Sequence, residues 1–455
     1  MCIRDSFKTP DRSDVFSCIE RSPMTKYLKR LVFFSSGGAF LDGYVISLVG
    51  VALTQITPQL GLSQAQSAEI GAASLVGILF GSLFGGMLTD ALGRRTMFIV
   101  DLIAIAVCSL ISMCAGDALQ IMLCRFLIGV FIGADYPIAT SLITEFTPQS
   151  KRAIAMGIVA ASWYFGATVA AFVGYALYAV DDGWKWMLGS AIIPCIVLLI
   201  GRHDIPESPR WLMNKGRSAE ALAILEKVYG SHYDAVPAEH VSSDKPIHVF
   251  TKGYRSRTVF LGMLILCQVV PMYAVYTFGP EIMTAFGLNN GHESILGEAV
   301  VSVMFLIGGI PAMFWLNSLG RRKLLLLGLA LMIVGLLALG LWPTAPLWYV
   351  FAGFGVYAFF SGGPGILQWL YPNELFPTDV RATAVGVAIA FSRIGVAVSI
   401  YGLPLFMESY GVGATMLVAA ALVGIGFVWS LVCAPETKRL TLHEASSLQH
   451  KHANK

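Results

Sequence analysis

Long apolar stretches alternate with short polar ones along almost the whole chain. A helix needs about 20 apolar residues to cross a hydrocarbon core of ~30 Å. Twelve stretches approach or reach that length: residues 31–56, 68–88, 97–115, 119–145, 154–179, 187–201, 259–286, 296–316, 324–341, 348–371, 383–407 and 413–433. Gly and Pro interrupt many of them, which membrane helices tolerate. A polar stretch at 202–257 divides the twelve into six and six. Within it, residues 217–229 carry apolar side chains at helical spacing and predict a surface helix. The expected organisation is a polar, disordered N-terminal segment (1–26), a six-helix bundle (27–202), a linker with the surface helix (203–257), a second six-helix bundle (258–434) and a tail (435–455). The first segment has no apolar core of its own, so no cleavable signal peptide is expected.

Composition agrees with this pattern. Of 455 residues, 56% are hydrophobic and 13% charged, and mean hydropathy is +0.69. Soluble proteins carry roughly 25% charged residues, so there is too little charge to coat this chain in water. A net charge of +3 is too small to argue for a nucleic-acid partner. The eight cysteines form no CxxC pair and no metal-spaced set with His. No metal and no cofactor is expected. Lys and Arg give the orientation. On the side where the chain begins, 28 of the 31 basic residues lie outside the spans, and Lys185 alone lies on the other side. The positive-inside rule then places both termini in the cytoplasm.

The two halves repeat. Asp90-Ala-Leu-Gly-Arg-Arg-Thr96 recurs as Asn317-Ser-Leu-Gly-Arg-Arg-Lys323. Glu145-Phe-Thr-Pro-Gln-Ser-Lys-Arg-Ala153 recurs as Glu374-Leu-Phe-Pro-Thr-Asp-Val-Arg-Ala382, and Pro206-Glu-Ser208 as Pro435-Glu-Thr437. The offsets are 227, 229 and 229 residues. Copies separated by an even number of spans are parallel repeats, the arrangement that puts a solute site between two bundles near mid-membrane. These motifs, with Arg125-Phe-Leu-Ile-Gly129-Val-Phe-Ile-Gly133 in span 4, resemble the major facilitator superfamily. Pro206-Glu-Ser-Pro-Arg-Trp-Leu212 and Pro435-Glu-Thr-Lys438 resemble its sugar-porter branch. Asp135-Tyr136-Pro137 and Gly363-Pro364 look more like the phosphate and organic-ion branches. The resemblance covers residues 27–440 and implies an all-α membrane protein of twelve transmembrane helices in two pseudo-symmetric bundles. The group it suggests is that of bacterial inner-membrane metabolite transporters.

Charges inside a bilayer are costly and need a reason. Asp42 lies roughly 17 Å into span 1, close to the midplane. A carboxylate balanced between low dielectric and a nearby cation can load and release a proton; the alternative is a permanent strut between helices. The resemblance implies Arg125 as its partner. Arg125, Gly129 and Gly133 share one ridge of span 4, where the glycines let another backbone approach. Asp135 is a second proton or substrate carboxylate, or one member of a structural pair with another helix. Arg393 is either a cavity arginine for a substrate oxygen or the counter-charge to a buried acid such as Glu281. The resemblance to organic-ion branches favours an anionic substrate. Phosphate fits poorly, because relatives that carry it use a span-7 lysine and residues 259–286 contain no Lys or Arg.

Along span 7 this chain keeps the Gln268 of sugar porters but has Cys267, Tyr273 and Thr277-Phe278 where they have Gln, Asn and Tyr-Tyr. Tyr136, Trp163, Tyr164, Gln268, Tyr273, Tyr276 and Trp369 are candidates for the wall of a solute cavity. Asp90, Gly93, Arg94, Arg95, Glu145 and Arg152, with their echoes Asn317, Arg321, Arg322, Glu374 and Arg381, are expected to form a cytoplasmic gate. Carboxylates facing arginines at helix ends can hold two bundles shut and part when the bundles rock. The expected contact across the halves is Asp90 with Arg381, while Asn317 can only hydrogen-bond Arg152. The expected function is secondary active transport of a small polar organic solute with protons, by a monomer in the lipid bilayer. No Gly-x-x-x-x-Gly-Lys-Ser/Thr pattern offers nucleotide-driven pumping. A non-transporting nutrient sensor on the same fold is the second class, and a membrane enzyme the third.

Overall fold

The computed structural model describes residues 23–229, 254–376 and 378–438, and the described residues contain helices and connections but no strand. Eleven helices are long and apolar enough to cross a membrane: Lys26–Gln59, Gln64–Gly85, Arg94–Met113, Ala118–Thr140, Ile154–Leu177, Gly183–Arg202, Arg255–Thr277, His292–Leu316, Arg321–Leu341, Leu347–Pro372 and Gly386–Cys433. The last has 48 residues, about 72 Å of helix against a ~30 Å core. Gly411 divides it, with φ 79° and ψ 168°. On either side of Gly411, Gly395 faces Leu266 and Gly426 faces Cys267, neighbours in span 7. The chain therefore reverses at Gly411, and the segment is two antiparallel spans. Twelve crossings result, as the hydrophobic pattern predicts.

Three spans are broken within the membrane, and proline explains two of the breaks. In span 6 the helix stops at Ser190 and restarts at Ile192, because Pro194 has no N–H and its ring crowds the carbonyl four residues back. In span 7 it stops at Thr277 and restarts at Gly279, with Pro280 just inside the new helix. Span 1 is interrupted at Ser36.

Apolar side chains cover the outside of the helices as well as the inside. Phe33, Ile193, Ile200, Phe314, Val398 and Val432 are each more than 60% exposed, a surface suited to lipid and not to water. The chain is a multi-pass membrane protein. Inside, small residues set the helix spacing. The predicted ridge of span 4 packs against span 2, where a methyl added at Gly129 would come within 2.0 Å of the Ser74 carbonyl oxygen. At Gly133 the same test gives 2.5 Å to the Ile78 carbonyl oxygen.

The surface helix predicted at 217–229 is present as Ser218–Tyr229. Its Val228 packs into a cluster with Leu28, Leu31, Phe98 and Phe146 on the face where the chain begins, called the N-face below. Tyr229 donates to the Phe146 carbonyl at 2.8 Å. Residues 1–22, 230–253 and 439–455 lie outside the described residues.

Candidate functional site

The two halves meet around a cavity of about 20 Å³, lined by Trp163 and Tyr164 from the first half and by Tyr273, Gln368, Trp369, Ser392 and Arg393 from the second. That is room for about one water molecule. A solute larger than water does not fit this cavity unless its walls move apart.

Asp42 is fully buried against this cavity. Its Oδ2 accepts from the Tyr136 hydroxyl, from Trp163 Nε1 at 2.6 Å and from the Tyr273 hydroxyl at 3.1 Å. These donors come from spans 4, 5 and 7, so the carboxylate ties both halves together. Oδ1 is buried without a partner. All the donors are neutral. The nearest cationic arrangement runs through Tyr273: the Arg393 guanidinium carbon lies 4.5 Å from the Tyr273 ring centroid and 5.9 Å from that of Tyr136. Arg393 is 4% exposed, and its Nε and Nη1 have no hydrogen-bond partner. No ion pair joins it to Glu281 or to any other described acid. A buried guanidinium with unused donors at a cavity wall is built to receive a carboxylate or another polarised oxygen.

Arg125 has other partners than the resemblance implies. Its Nη1 donates to the Val45 carbonyl at 3.2 Å and its Nη2 to Ser74 Oγ at 2.9 Å. It does not form an ion pair with Asp42 in this conformation, because the guanidinium is held on the span 2 side of span 1. Asp135 takes the structural alternative. Arg202 reaches it with two bonds, Nη1 to Oδ1 at 3.1 Å and Nη2 to Oδ2 at 3.3 Å. The same guanidinium lies 3.9 Å from Asp101, donates to the Phe34 and Phe98 carbonyls and covers the Phe98 ring. Arg202 counts among the basic residues of the loop on sequence alone, yet it is 1% exposed.

Trp163, Tyr273, Trp369 and Arg393 line the cavity. Tyr136 packs against Trp369, with ring centroids 4.9 Å apart and planes tilted by 35°. Gln268 and Tyr276 do not line it. Gln268 donates weakly to Ser361 Oγ at 3.4 Å, and Tyr276 packs edge-on against Trp163 at 5.0 Å. Gln368 and Ser392 belong to the wall and were not singled out by sequence, since polar residues in an apolar helix carry no direction until the helix is placed.

At the N-face the structure repeats one arrangement in both halves. Glu207 accepts the backbone N–H groups of Arg94 at 2.9 Å and Arg95 at 3.1 Å. Glu436 accepts those of Arg321 at 3.0 Å and Arg322 at 3.1 Å. Each carboxylate thus caps the start of the third helix of its half, where unpaired N–H groups and the helix dipole attract negative charge. Gly93 and Gly320 precede these helices at φ 94° and 92°, and a methyl at either would come within 2.6 Å of the capping carboxylate. The arginine side chains close the unit: Arg95 donates to the His203 carbonyl at 3.2 Å and Arg322 to the Leu431 carbonyl at 2.8 Å. Arg321 also pairs with Glu374 at 2.9 Å. The side chains of Asp90, Glu145, Asn317 and Arg381 lie outside the described residues, and with them the expected Asp90–Arg381 contact. Arg152 donates to the Thr147 carbonyl at 3.4 Å.

The sequence matches the sugar (and other) transporter family over residues 31–448. It is 47% identical to the putative metabolite transport protein YaaU of Escherichia coli (strain K12), across 92% of this chain and 95% of that one. It is 30% identical to the inner membrane metabolite transport protein YgcS of the same organism, across 94% and 95%. Among solved structures it resembles the proton:xylose symporter XylE from E. coli with a TM-score of 0.78, at 21% identity over 92% of this chain and 98% of that one. The chain belongs to the sugar (and other) transporter family, and its fold is that of the major facilitator superfamily.

Proposed function

We propose that the protein is a proton-coupled secondary transporter that moves a small polar organic solute, a sugar, polyol or organic acid, by alternating access. The observation that carries this reading is the assembly of Asp42, Tyr273 and Arg393 at the closed seam between the halves. The acid is held by neutral donors from three spans, and the cation keeps free donors at the cavity wall. Protonation of Asp42 removes a charge from the seam, and a solute oxygen gives the unused donors of Arg393 an acceptor, so cargo and proton bear on the same contact between the halves. The XylE and relatives' names are consistent with such coupling.

The basic residues crowd the N-face, which we assign to the cytoplasm, with both termini there and the bilayer that of a bacterial inner membrane. The paired units around Glu207 and Glu436 then lie on the cytoplasmic side. With Arg94, Arg95, Arg321, Arg322 and Glu374 they form the gate on which the bundles rock. The protein works as a monomer without a cofactor, its partners being solute, protons and lipid.

The test is uptake into proteoliposomes. Sugars, polyols, sugar acids and aromatic acids are first screened for a rise in unfolding temperature, since a bound ligand stabilises by mass action. The solute so found is expected to accumulate above its external concentration when a proton gradient is imposed, and to stop when the gradient is collapsed. Accumulation that ignores the gradient removes proton coupling from the reading, and no passage at all removes transport.

A further inference from the structure

Glu298 lies near the start of span 8, at the face opposite the N-face, and no role above uses it. It is 1% exposed. Its Oε1 accepts from Ser47 Oγ at 3.1 Å. Ser47 belongs to span 1, so this bond crosses from one half to the other. Oε2 is buried with no partner. The groups that face the carboxylate are all uncharged: Ser47 from span 1, and Tyr276 and Gly279 from either side of the break in span 7. Behind Tyr276 stand Tyr164 of span 5 and Tyr357 of span 10. Glu293, the next acid along the chain, is exposed and accepts from Asn289, and Glu281, on the short helix after the break, is only partly buried. No described Lys, Arg or His forms an ion pair with Glu298.

The contact sits where the halves are pressed together. Gly50, one turn beyond Ser47, lies against the carbonyls that the span 7 break leaves free, and a methyl there would come within 2.6 Å of the Thr277 oxygen. At Gly279 a methyl would fall 2.3 Å from Glu298 Cγ. Span 1, the break and Glu298 therefore interlock in this arrangement of the far face. A carboxylate enclosed in this way without a cation is disfavoured when ionised. A neutral carboxyl group fits, with its proton on the oxygen that has no donor.

We propose that Glu298 is a second proton-binding site, separate from Asp42, and that its protonation permits span 1 and the break in span 7 to close the far face. The carboxylate takes one proton from the solution on that side before closure. It returns the proton there when opening lets water reach it, unless the protein has turned meanwhile. This rests on the transport reading above, since only a protein that opens and closes makes use of it. The sign is defined: the closed far face gains population as pH falls and loses it as pH rises, by up to about tenfold in the open-to-closed ratio per pH unit for one proton.

The test needs no solute. Spin labels are placed at exposed Gln64 and Ala285, which stand on opposite halves at the far face, in the full chain with Cys2, Cys18, Cys114 and Cys433 replaced by serine. Their separation is measured by pulsed dipolar spectroscopy across pH. The parent is expected to shift from short to long distances as pH rises. Glu298→Gln is expected to hold the short distance at every pH. A Glu298→Gln protein with the parent's pH response overturns the proposal, as does a parent whose distance ignores pH. Where the Gln variant does not fold, Glu298→Asp carries the test: a moved midpoint supports the assignment, and an unchanged one overturns it. A labelled parent that accumulates no solute in vesicles but still widens with pH refutes the transport reading and leaves the proton site standing.

Discussion

Asp42 and Asp135 are both buried aspartates of the first half, but their surroundings differ in kind. Asp135 receives two bonds from a guanidinium that is itself buried and held by two backbone carbonyls. Asp42 receives three bonds, all from neutral hydroxyl or indole donors. Breaking such a pair strands a buried charge, so the Asp135–Arg202 contact acts as a strut between spans 4 and 6. An acid held by neutral donors can change protonation without breaking an ion pair. Position in the membrane therefore says little about function; the charge of the partner decides it. The same criterion sets Glu298 beside Asp42, whereas Asp101, 3.9 Å from Arg202 and with Oδ2 lacking a hydrogen-bond partner, belongs to neither class.

The comparison breaks most visibly at Arg202. Arg202→Ala leaves Asp135 and Asp101 without a cation, and a loss on the order of 3–5 kcal/mol is expected from a broken buried pair. Thermal unfolding in detergent should show this as a large fall in midpoint or as failure to recover folded protein. A midpoint near that of the parent would mean that the Asp135–Arg202 pair is not a strut. Next in size is Asp42→Asn, which keeps an acceptor for Trp163 and the tyrosines. Uphill, proton-driven accumulation should disappear while solute binding or exchange stays measurable and the unfolding midpoint moves by less than about 1 kcal/mol equivalent. Unchanged uphill uptake removes Asp42 from coupling.

Arg393→Ala is expected to have a smaller and selective effect. Initial uptake rates of an anionic and a neutral substrate, compared side by side, should diverge by about tenfold, the worth of one charge-assisted bond. Equal losses for both assign Arg393 to packing of the Tyr273 ring. At the N-face caps the expected effect is on stability and not on transport. Gly93→Ala and Gly320→Ala each force an unfavourable backbone and crowd a carboxylate, at a cost of about 1–3 kcal/mol. Because the two units match, their unfolding midpoints should fall by similar amounts, and a fall at only one site would show that the halves are unequally braced.

Much of the architecture was legible because the bilayer imposes a length and the repeat imposes a symmetry. Residue runs near 20 in length announced the spans, and Leu-Gly-Arg-Arg at 92–95 and 319–322 announced two halves. Asp42 stood out as a charge in an apolar run. The same signal was present at Asp101 and Glu298, inside predicted spans, and was passed over because nothing in the linear pattern ranks one buried acid above another. Partners were harder to see. Arg202 reads as loop because it closes an apolar run, and it meets Asp135 only after span 6 packs beside span 4. Glu207 lies 113 residues from Arg94; its motif is visible, but its use as a helix cap is a property of the assembled bundle. Arg125 shows the limit from the other side, since a resemblance names a partner that this conformation does not supply.

The reversal at Gly411 joins the last two membrane helices through a single residue, with no connecting loop between them. Such a hairpin has no slack at that end. A displacement of span 11, which carries Arg393, is transmitted at once to span 12, whose outer side presents Val418, Ile425, Val428 and Val432 to the surroundings. Work done at the cargo site is thereby shared with the acyl chains around it. Bilayer thickness and lateral pressure become part of the load against which this protein turns over.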